Sequence, residues 1–138
     1  MNKIKFDMND MKFISLFESI SHSNVKDCIN TSDLMIFVVN VGEIGKAVGQ
    51  HGSNVRRMEE IVKKKVKVVE FSNDVMKFIE NYIFPMKAKD MKQENKIIKI
   101  TSPDLKTRGY LIGKGAEALR KMESVVKRHF DIEEIKVV

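Results

Sequence analysis

The chain has 138 residues, of which 43% are hydrophobic and 32% are charged. This balance is typical of a folded soluble protein and argues against long disordered stretches. The longest apolar runs are too short to span a bilayer, and residues 1–7 lack the apolar core of a secretory signal, so we expect a cytoplasmic protein without membrane contact. A single cysteine, Cys28, excludes an internal disulfide and a multi-cysteine metal site.

The net charge of +6 is unevenly distributed along the chain. Residues 1–43 hold four Lys against six Asp or Glu, whereas residues 44–71 hold seven Lys or Arg against three acids. Residues 72–138 hold fourteen basic against ten acidic side chains. A basic excess of this kind suits a polyanionic partner, although a solvated lysine-rich surface explains the charge alone equally well.

Hydrophobic spacing and turn residues predict six elements in the first half of the chain. These are a helix over 10–21, strands over 27–31 and 34–39, a short helix over 43–48, a longer helix over 53–64 and a closing strand over 65–71. A glycine turn, Gly49 to Gly52, separates the two later helices, and Ser53 is expected to cap the longer one.

The second half of the chain predicts the same order of elements. These are a helix over 73–84, a weak strand within 87–94, a strand over 96–100, a short helix over 103–112, a longer helix over 117–130 and a closing strand over 133–138. We therefore expect an α+β protein of two units, residues 1–71 and 72–138, each with a three-stranded sheet covered by helices.

An internal repeat supports this division. The stretch 44–71 aligns without a gap onto 108–135, so that Gly49 matches Gly113 and Glu70 matches Glu134. The upstream segment Met11–Ile14 recurs as Met76–Ile79. Two copies of one unit of roughly 65 to 70 residues follow from this pattern, each large enough for a small core.

The glycine turn of the first copy has the chemistry of an anion site. Gly49 and Gly52 tolerate positive φ and allow a close approach to another backbone, because glycine has no Cβ. The helix that follows presents its N-terminal amides beside Arg56 and Arg57, and such an end attracts anions. An ordinary helix-to-helix turn is the alternative.

These motifs resemble a known family. Val48–Arg57 and Leu111–Gly115 resemble the I-G-x-x-G core of KH domains in the type II order of elements. Val55–Glu59, Lys65–Ser72 and Lys127–Glu133 are similar to the tandem KH portion of archaeal NusA-like transcription factors. The resemblance covers essentially the whole chain. It implies two tandem type II KH domains that bind single-stranded RNA in transcription elongation, termination or antitermination.

The resemblance also implies a set of site residues, carried over position by position. The RNA-binding residues are Lys46, Gly49, Gln50, His51, Gly52, Arg56 and Arg57 in the first copy, and Arg108, Gly113, Lys114, Gly115, Arg120 and Lys121 in the second. An apolar groove for bases is expected at Ile44, Val48, Val55, Ile112 and Leu119. Because Ala116 replaces the last loop glycine and Glu117 follows it, we expect the first loop to carry more of the binding.

Other residues have plainer interpretations. Gly45 and Gly109 are predicted to allow close helix packing, as an alternative to a ligand role. His22 and His129 are expected to serve as caps or surface residues, and Cys28 as a small buried residue.

The sequence shows neither a phosphate loop nor a catalytic constellation, so we expect no enzyme activity, cofactor, metal or small-molecule substrate. A second function class stays open: an adaptor that docks on RNA polymerase, with weak or absent RNA binding, whose apolar groove accepts a peptide. The chain has no region like the polymerase-binding and S1 regions of bacterial NusA proteins, so polymerase contact does not follow from the resemblance. The doubled basic loop favours RNA.

Overall fold

The structure, a computed structural model, describes residues 8–138. The expectation that residues 1–7 carry no secretory signal lies outside the described residues. Residues 8–72 form one compact unit and residues 73–138 form another, and we call these the first and second unit. Within residues 8–138, none of the helices combines the length and apolar character needed to cross a membrane.

The first unit contains three helices and three strands. They are α1 (Met8–Ser21), β1 (Val25–Asn30), β2 (Leu34–Val39), α2 (Ile44–Val48), α3 (Ser53–Val62) and β3 (Lys65–Glu70). The second unit repeats this order with α4 (Val75–Ile83), β4 (Asp90–Glu94), β5 (Ile97–Thr101), α5 (Leu105–Ile112), α6 (Glu117–Lys127) and β6 (Glu134–Val137). The predicted α+β class and the predicted element order are confirmed.

Each unit has a three-stranded sheet with the same topology. The strand orders are β1-β2-β3 and β4-β5-β6, and in each sheet the first pair is antiparallel and the second pair parallel. In β2 every residue from Met35 to Val39 is buried, which explains its unbroken apolar run. In β5 the buried Ile98 and Ile100 alternate with the exposed Lys99, so one face of the second sheet is wet.

Aromatic stacking anchors the core of the first unit. Phe17 of α1 stacks on Phe37 of β2 with ring centroids 4.4 Å apart. Met58 of α3 packs into the same cluster, together with Cys28. The buried position of Cys28 confirms its interpretation as a small core residue.

The gapless alignment of the two copies is wrong beyond their long helices. Two residues separate α3 from β3, whereas residues 128–133 separate α6 from β6. Leu34 pairs with Lys65 in the first sheet, and Ile97 pairs with Glu134 in the second. Glu134 therefore occupies the position of Lys65, and its predicted match with Glu70 fails because the second copy has the longer connection.

The longer connection also explains an incorrect prediction for His129. Its side chain is buried, with the imidazole edge-on to Phe78 and ring centroids 5.7 Å apart. An aromatic pair of this geometry is a packing contact, so His129 is not a surface residue, although its backbone N–H donates to the Val126 carbonyl at the end of α6 at 3.1 Å. His22, in contrast, is exposed at the end of α1, where its backbone N–H donates to the Glu18 carbonyl at 2.7 Å, as predicted for a cap.

Candidate nucleic-acid interface

Two glycine loops, Gly49–Gly52 and Gly113–Ala116, join the short helix of each unit to the long one, and we call them the first and second loop. Each has three positions with positive φ. The angles φ and ψ are 79° and 171° at Gly49, against 74° and 174° at Gly113. The third positions match equally well, with 73° and 20° at Gly52 and 62° and 20° at Ala116. The two loops therefore share one backbone conformation.

The two loops differ in which positive-φ position lacks a glycine. In the first loop it is His51, at φ 55°, and its counterpart in the second loop is Gly115, at φ 62°. In the second loop it is Ala116, which adopts the left-handed conformation despite its Cβ. Each loop thus holds one residue in a costly conformation, so Ala116 gives no backbone reason to rank the loops.

The first glycine of each loop lies against the helix that follows. A Cβ at Gly49 would lie 2.7 Å from Nδ2 of Asn54. A Cβ at Gly113 would lie 2.8 Å from the Cβ of Ala118 and 2.9 Å from its backbone nitrogen. Only glycine combines this proximity with the observed φ, so the close packing of loop on helix explains both residues.

Helices α3 and α6 begin without a capping side chain. Their N-cap residues are Gly52 and Ala116, both in the left-handed region, and neither makes a side-chain cap. The predicted Ser53 cap is wrong, because Ser53 already has helical angles. Elsewhere a carboxylate caps two helices: Asp74 caps α4 and Asp104 caps α5, whereas Glu43 before α2 makes no side-chain cap. The partial positive charge of α3 therefore faces the first loop without a side-chain counterpart, whereas Glu117 places a carboxylate in the first turn of α6.

The cations around the first loop have different roles. Nη1 of Arg56 donates to the carbonyl oxygen of His51, so this guanidinium holds the loop backbone. Arg57 is exposed to solvent. Nζ of Lys46 lies 3.6 Å from a carboxylate oxygen of Glu43, and Gln50 and His51 project into solvent. Arg57 is thus the cation most open to a ligand in the first loop.

The second loop is also basic, with its own arrangement. Arg120 pairs with Glu123 at 3.1 Å, which ties that guanidinium to the long helix. Lys121 is half-buried, while the loop residue Gly115 is exposed. Arg108 and Lys114 are exposed, and neither forms an ion pair with any described residue. The open cations of the second loop are therefore Arg108 and Lys114.

The predicted groove residues divide into two groups. Ile44 and Val55 are half-buried and pack on the first core, while Val48 and Ile112 are also half-buried. All four keep part of their surface available. Leu119 is only 7% exposed and belongs to the core of the second unit. Its prediction as a groove residue is wrong, because this position of α6 faces inward.

Sequence reasoning missed a repeated open surface at the short helices. Val41 and Leu105, which are 64 residues apart, are large aliphatic residues left exposed. Gly45 and Gly109 follow four residues later, and a Cβ at either would meet nothing within 4 Å. The prediction that these glycines allow helix packing is wrong. The signal was the recurrence of an aliphatic residue four positions before each glycine.

The described chain, residues 8–138, holds no group of three or more His, Cys, Asp or Glu side chains that could bind a metal ion.

The protein thus consists of two α+β units, and in each unit a basic glycine loop precedes a long helix that no side chain caps. Over 141 aligned residues it is 31% identical to the "Probable transcription termination protein NusA" of Methanocaldococcus jannaschii, covering 100% of this chain and 77% of that protein. It is 30% identical to the protein of the same name from Methanococcus vannielii, covering 99% of this chain and 80% of that one. The chain belongs to the family of archaeal NusA-like transcription termination proteins.

Further comparisons agree with this placement. The Thermoplasma acidophilum protein of the same name is 24% identical and matches 99% of this chain and 97% of its own length. The crystal structure of APE1850 matches with a TM-score of 0.78 and 25% identity, covering 96% of this chain and 100% of that chain. No family model matches the chain. The family resemblance seen in the sequence is confirmed by these relatives.

Proposed function

We propose that residues 1–71 and 72–138 are two tandem type II KH domains that bind single-stranded RNA during transcription termination. Each loop holds the RNA backbone, and the neighbouring apolar surface receives bases. RNA is then the main partner, and RNA polymerase is a candidate second partner in the cytoplasm. The relatives are named as transcription termination proteins, which supports this setting.

One observation carries the proposal: both long helices start uncapped behind loops of the same conformation. The first amides of an α-helix lack intrahelical acceptors, and the helix dipole adds a partial positive charge at the same end. The first amide of each long helix already donates to a loop carbonyl, Ser53 to Gln50 and Glu117 to Lys114, so a phosphate group supplies chiefly the negative charge that the dipole favours. The aspartate caps of α4 and α5 mark the contrast, since a side chain already accepts from their first amides; Glu117 in the first turn of α6 leaves α3 as the helix end with no carboxylate.

The exposed surfaces of the short helices α2 and α5 can receive bases beside the loops that hold the phosphates. Gly45 and Gly109 leave the helix backbone uncovered, and the exposed Val41 and Leu105 lie four residues before them. An unstacked base has an apolar face that suits such a surface, while its phosphate remains at the loop. Both units thus place an exposed aliphatic residue four positions before an uncovered glycine.

The alternative is an adaptor that docks on RNA polymerase and binds RNA weakly or not at all. An apolar surface alone suits a peptide as well as a base. A peptide has no need of open cations such as Arg57 and Lys114 beside an uncapped helix. For this reason we favour RNA over a peptide as the ligand of the loops.

Fluorescence anisotropy with a labelled unstructured RNA tests the proposal. A double variant, Gln50→Asp with His51→Asp, places two carboxylates in the first loop and keeps both glycines. We expect its affinity for RNA to fall about tenfold or more, because each carboxylate repels the bound phosphate. The matched control is Ser15→Asp with Ser19→Asp, the same change in charge on exposed positions of α1.

The outcomes separate the two functions. Loss of RNA binding in the loop variant alone supports the clamp. Equal binding by the native protein and both variants places the RNA site outside the first loop. If the native protein binds no RNA, the proposed function fails, and retention of the native chain on purified RNA polymerase then supports the adaptor.

A further inference from the structure

Tyr110 of α5 exposes an aromatic ring next to the second loop. Its side chain is 62% exposed, whereas the other tyrosine of the chain, Tyr82, is 8% exposed. Within residues 8–138, Tyr110 makes no hydrogen bond and no ring contact with another side chain. The exposed part of this aromatic surface contributes nothing to the stability of the fold and is available for a ligand.

Tyr110 lies about one helical turn before the first glycine of the second loop. It precedes Gly113 by three residues, and three residues of α-helix rise about 4.5 Å. Its neighbour Gly109 leaves open space on the helix surface, since a Cβ there would meet no atom within 4 Å. The exposed cations Arg108 and Lys114 lie on either side in sequence. An exposed aromatic ring thus lies on the last turn of α5, next to a glycine with open space, and exposed cations flank it in the sequence.

The first unit has a different residue at the same place. The repeat places Lys46 at the position of Tyr110, and Lys46 lies 3.6 Å from Glu43 in an ion pair. A lysine ammonium is a point charge that suits a phosphate. A tyrosine ring presents a face on which a base can stack. The two copies therefore differ in the kind of contact that this position can make.

We propose that Tyr110 is a stacking platform for one base of the RNA strand whose backbone the second loop holds. The inference rests on the proposed function, because it needs RNA at that loop. It adds a base contact of which the first unit has no counterpart, so the two units bind the strand in different ways. The exposed cations of this segment, Arg108 and Lys114, favour a nucleotide over an apolar protein segment as its occupant.

The chain offers a direct optical test. It contains two tyrosines and no tryptophan, and Tyr82 is buried. Tyrosine emission of the full chain is recorded during titration with an unlabelled oligouridine, while anisotropy of a labelled copy of the same RNA reports binding. Tyr110→Phe keeps the aromatic face, and Tyr110→Ala removes it. Thermal melts of both variants test whether they fold. Because the side chain is exposed, neither substitution should change the melting temperature.

We expect RNA to quench the tyrosine emission of the native chain and to leave the emission of Tyr110→Phe nearly unchanged. Tyr110→Phe should bind RNA within about twofold of the native affinity, and Tyr110→Ala should bind about tenfold more weakly. Lys46→Ala is the position-matched variant in the first unit. This variant keeps Tyr110, so RNA binding should quench its tyrosine emission as in the native chain.

The contrary outcomes are distinct. If native protein binds RNA by anisotropy but shows no quenching, and Tyr110→Ala binds as tightly as native, the inference is overturned while the proposed function stands. If Tyr110→Ala instead loses only its retention on RNA polymerase, the ring is a protein contact and the inference is again overturned. If native protein binds no RNA at all, both the proposed function and the inference fail.

Discussion

The backbone N–H of Ile135 donates to Oε2 of Glu123 at 2.8 Å, across the connection between α6 and β6. The first unit has the same link, in which Val66 donates to Glu59 at 3.0 Å. In each copy a glutamate on the long helix thus holds the start of the closing strand. Glu123 is 8% exposed and also pairs with Arg120 at 3.1 Å.

The first prediction concerns this glutamate. Glu123→Ala should lower the free energy of unfolding by about 2–3 kcal/mol, because the buried N–H of Ile135 loses its acceptor. Urea denaturation followed by circular dichroism measures the change. The control is Glu80→Ala, which removes an exposed ion pair to Lys77 and should cost about 0.5 kcal/mol or less. Equal effects of the two changes would refute the structural role of Glu123.

The loop glycines should differ in their tolerance of alanine. Gly49→Ala should cost about 2 kcal/mol from its backbone conformation, together with the hydrogen bond from Asn54 to the Lys46 carbonyl that is lost when this side chain moves aside. Gly113→Ala should cost more, because it also meets the backbone nitrogen of Ala118. Gly109→Ala is the control and should stabilise α5 by about 0.5–1 kcal/mol, since the space there is open. Denaturant midpoints that rank these variants in another order would contradict the loop geometry.

Replacing Ala116 by glycine should increase stability, in contrast to the loop glycine-to-alanine changes, which should decrease it. Its φ of 62° places an L-residue in the left-handed region, which costs about 1–2 kcal/mol. Ala116→Gly should therefore raise the stability of the second unit by about 0.5–1 kcal/mol after the entropy of glycine is subtracted. The midpoint of urea unfolding measures the gain. Ala118→Gly, a change of the same kind within helix α6, should destabilise instead; a loss of stability in both variants would show that Ala116 is unstrained.

The salt dependence of RNA affinity should show how many loops contact a phosphate. The slope of log affinity against log salt is about −0.7 for each phosphate neutralised on single-stranded nucleic acid. With both loops bound to phosphates we expect a slope of about −1.4 or steeper for the native protein. The Gln50→Asp, His51→Asp variant should give a slope that is shallower by about 0.7. Anisotropy titrations at several salt concentrations measure both slopes. A flat response of the native protein would be incompatible with a phosphate clamp.

Alkaline pH should weaken the fold through Tyr82. Burial raises the pKa of Tyr82 to about 12, against about 10 for an unfolded chain. The stability that this implies is complete below pH 10 and is lost as the pH rises towards 12, because the unfolded state releases the proton first. Between pH 9 and 11 the native chain should lose about 1 kcal/mol more than Tyr82→Phe, which cannot titrate. Thermal melts in matched buffers measure this difference, and identical losses would exclude the buried phenol as the cause.

Local sequence was sufficient for the order of the elements and for the position of both glycine loops. Apolar periodicity and glycine act on the nearest few residues, so the helix and strand order and the turn at Gly49 could be predicted without tertiary contacts. The repeat indicated two copies of one unit, and the resemblance of its motifs to known proteins indicated the family. The pattern also indicated which cations lie near each loop.

Burial, exposure and strand pairing depended on the tertiary structure. The connection after α6 shifts the register so that Ile135, and not Phe130, meets Glu123, and no local pattern records that pairing. His129 is buried because Phe78, far away in sequence, packs on it. The open space at Gly109 and the exposure of Tyr110 arise because no distant part of the folded chain packs against them. Contacts between residues distant in the chain decide all of these features, so composition and periodicity cannot predict them.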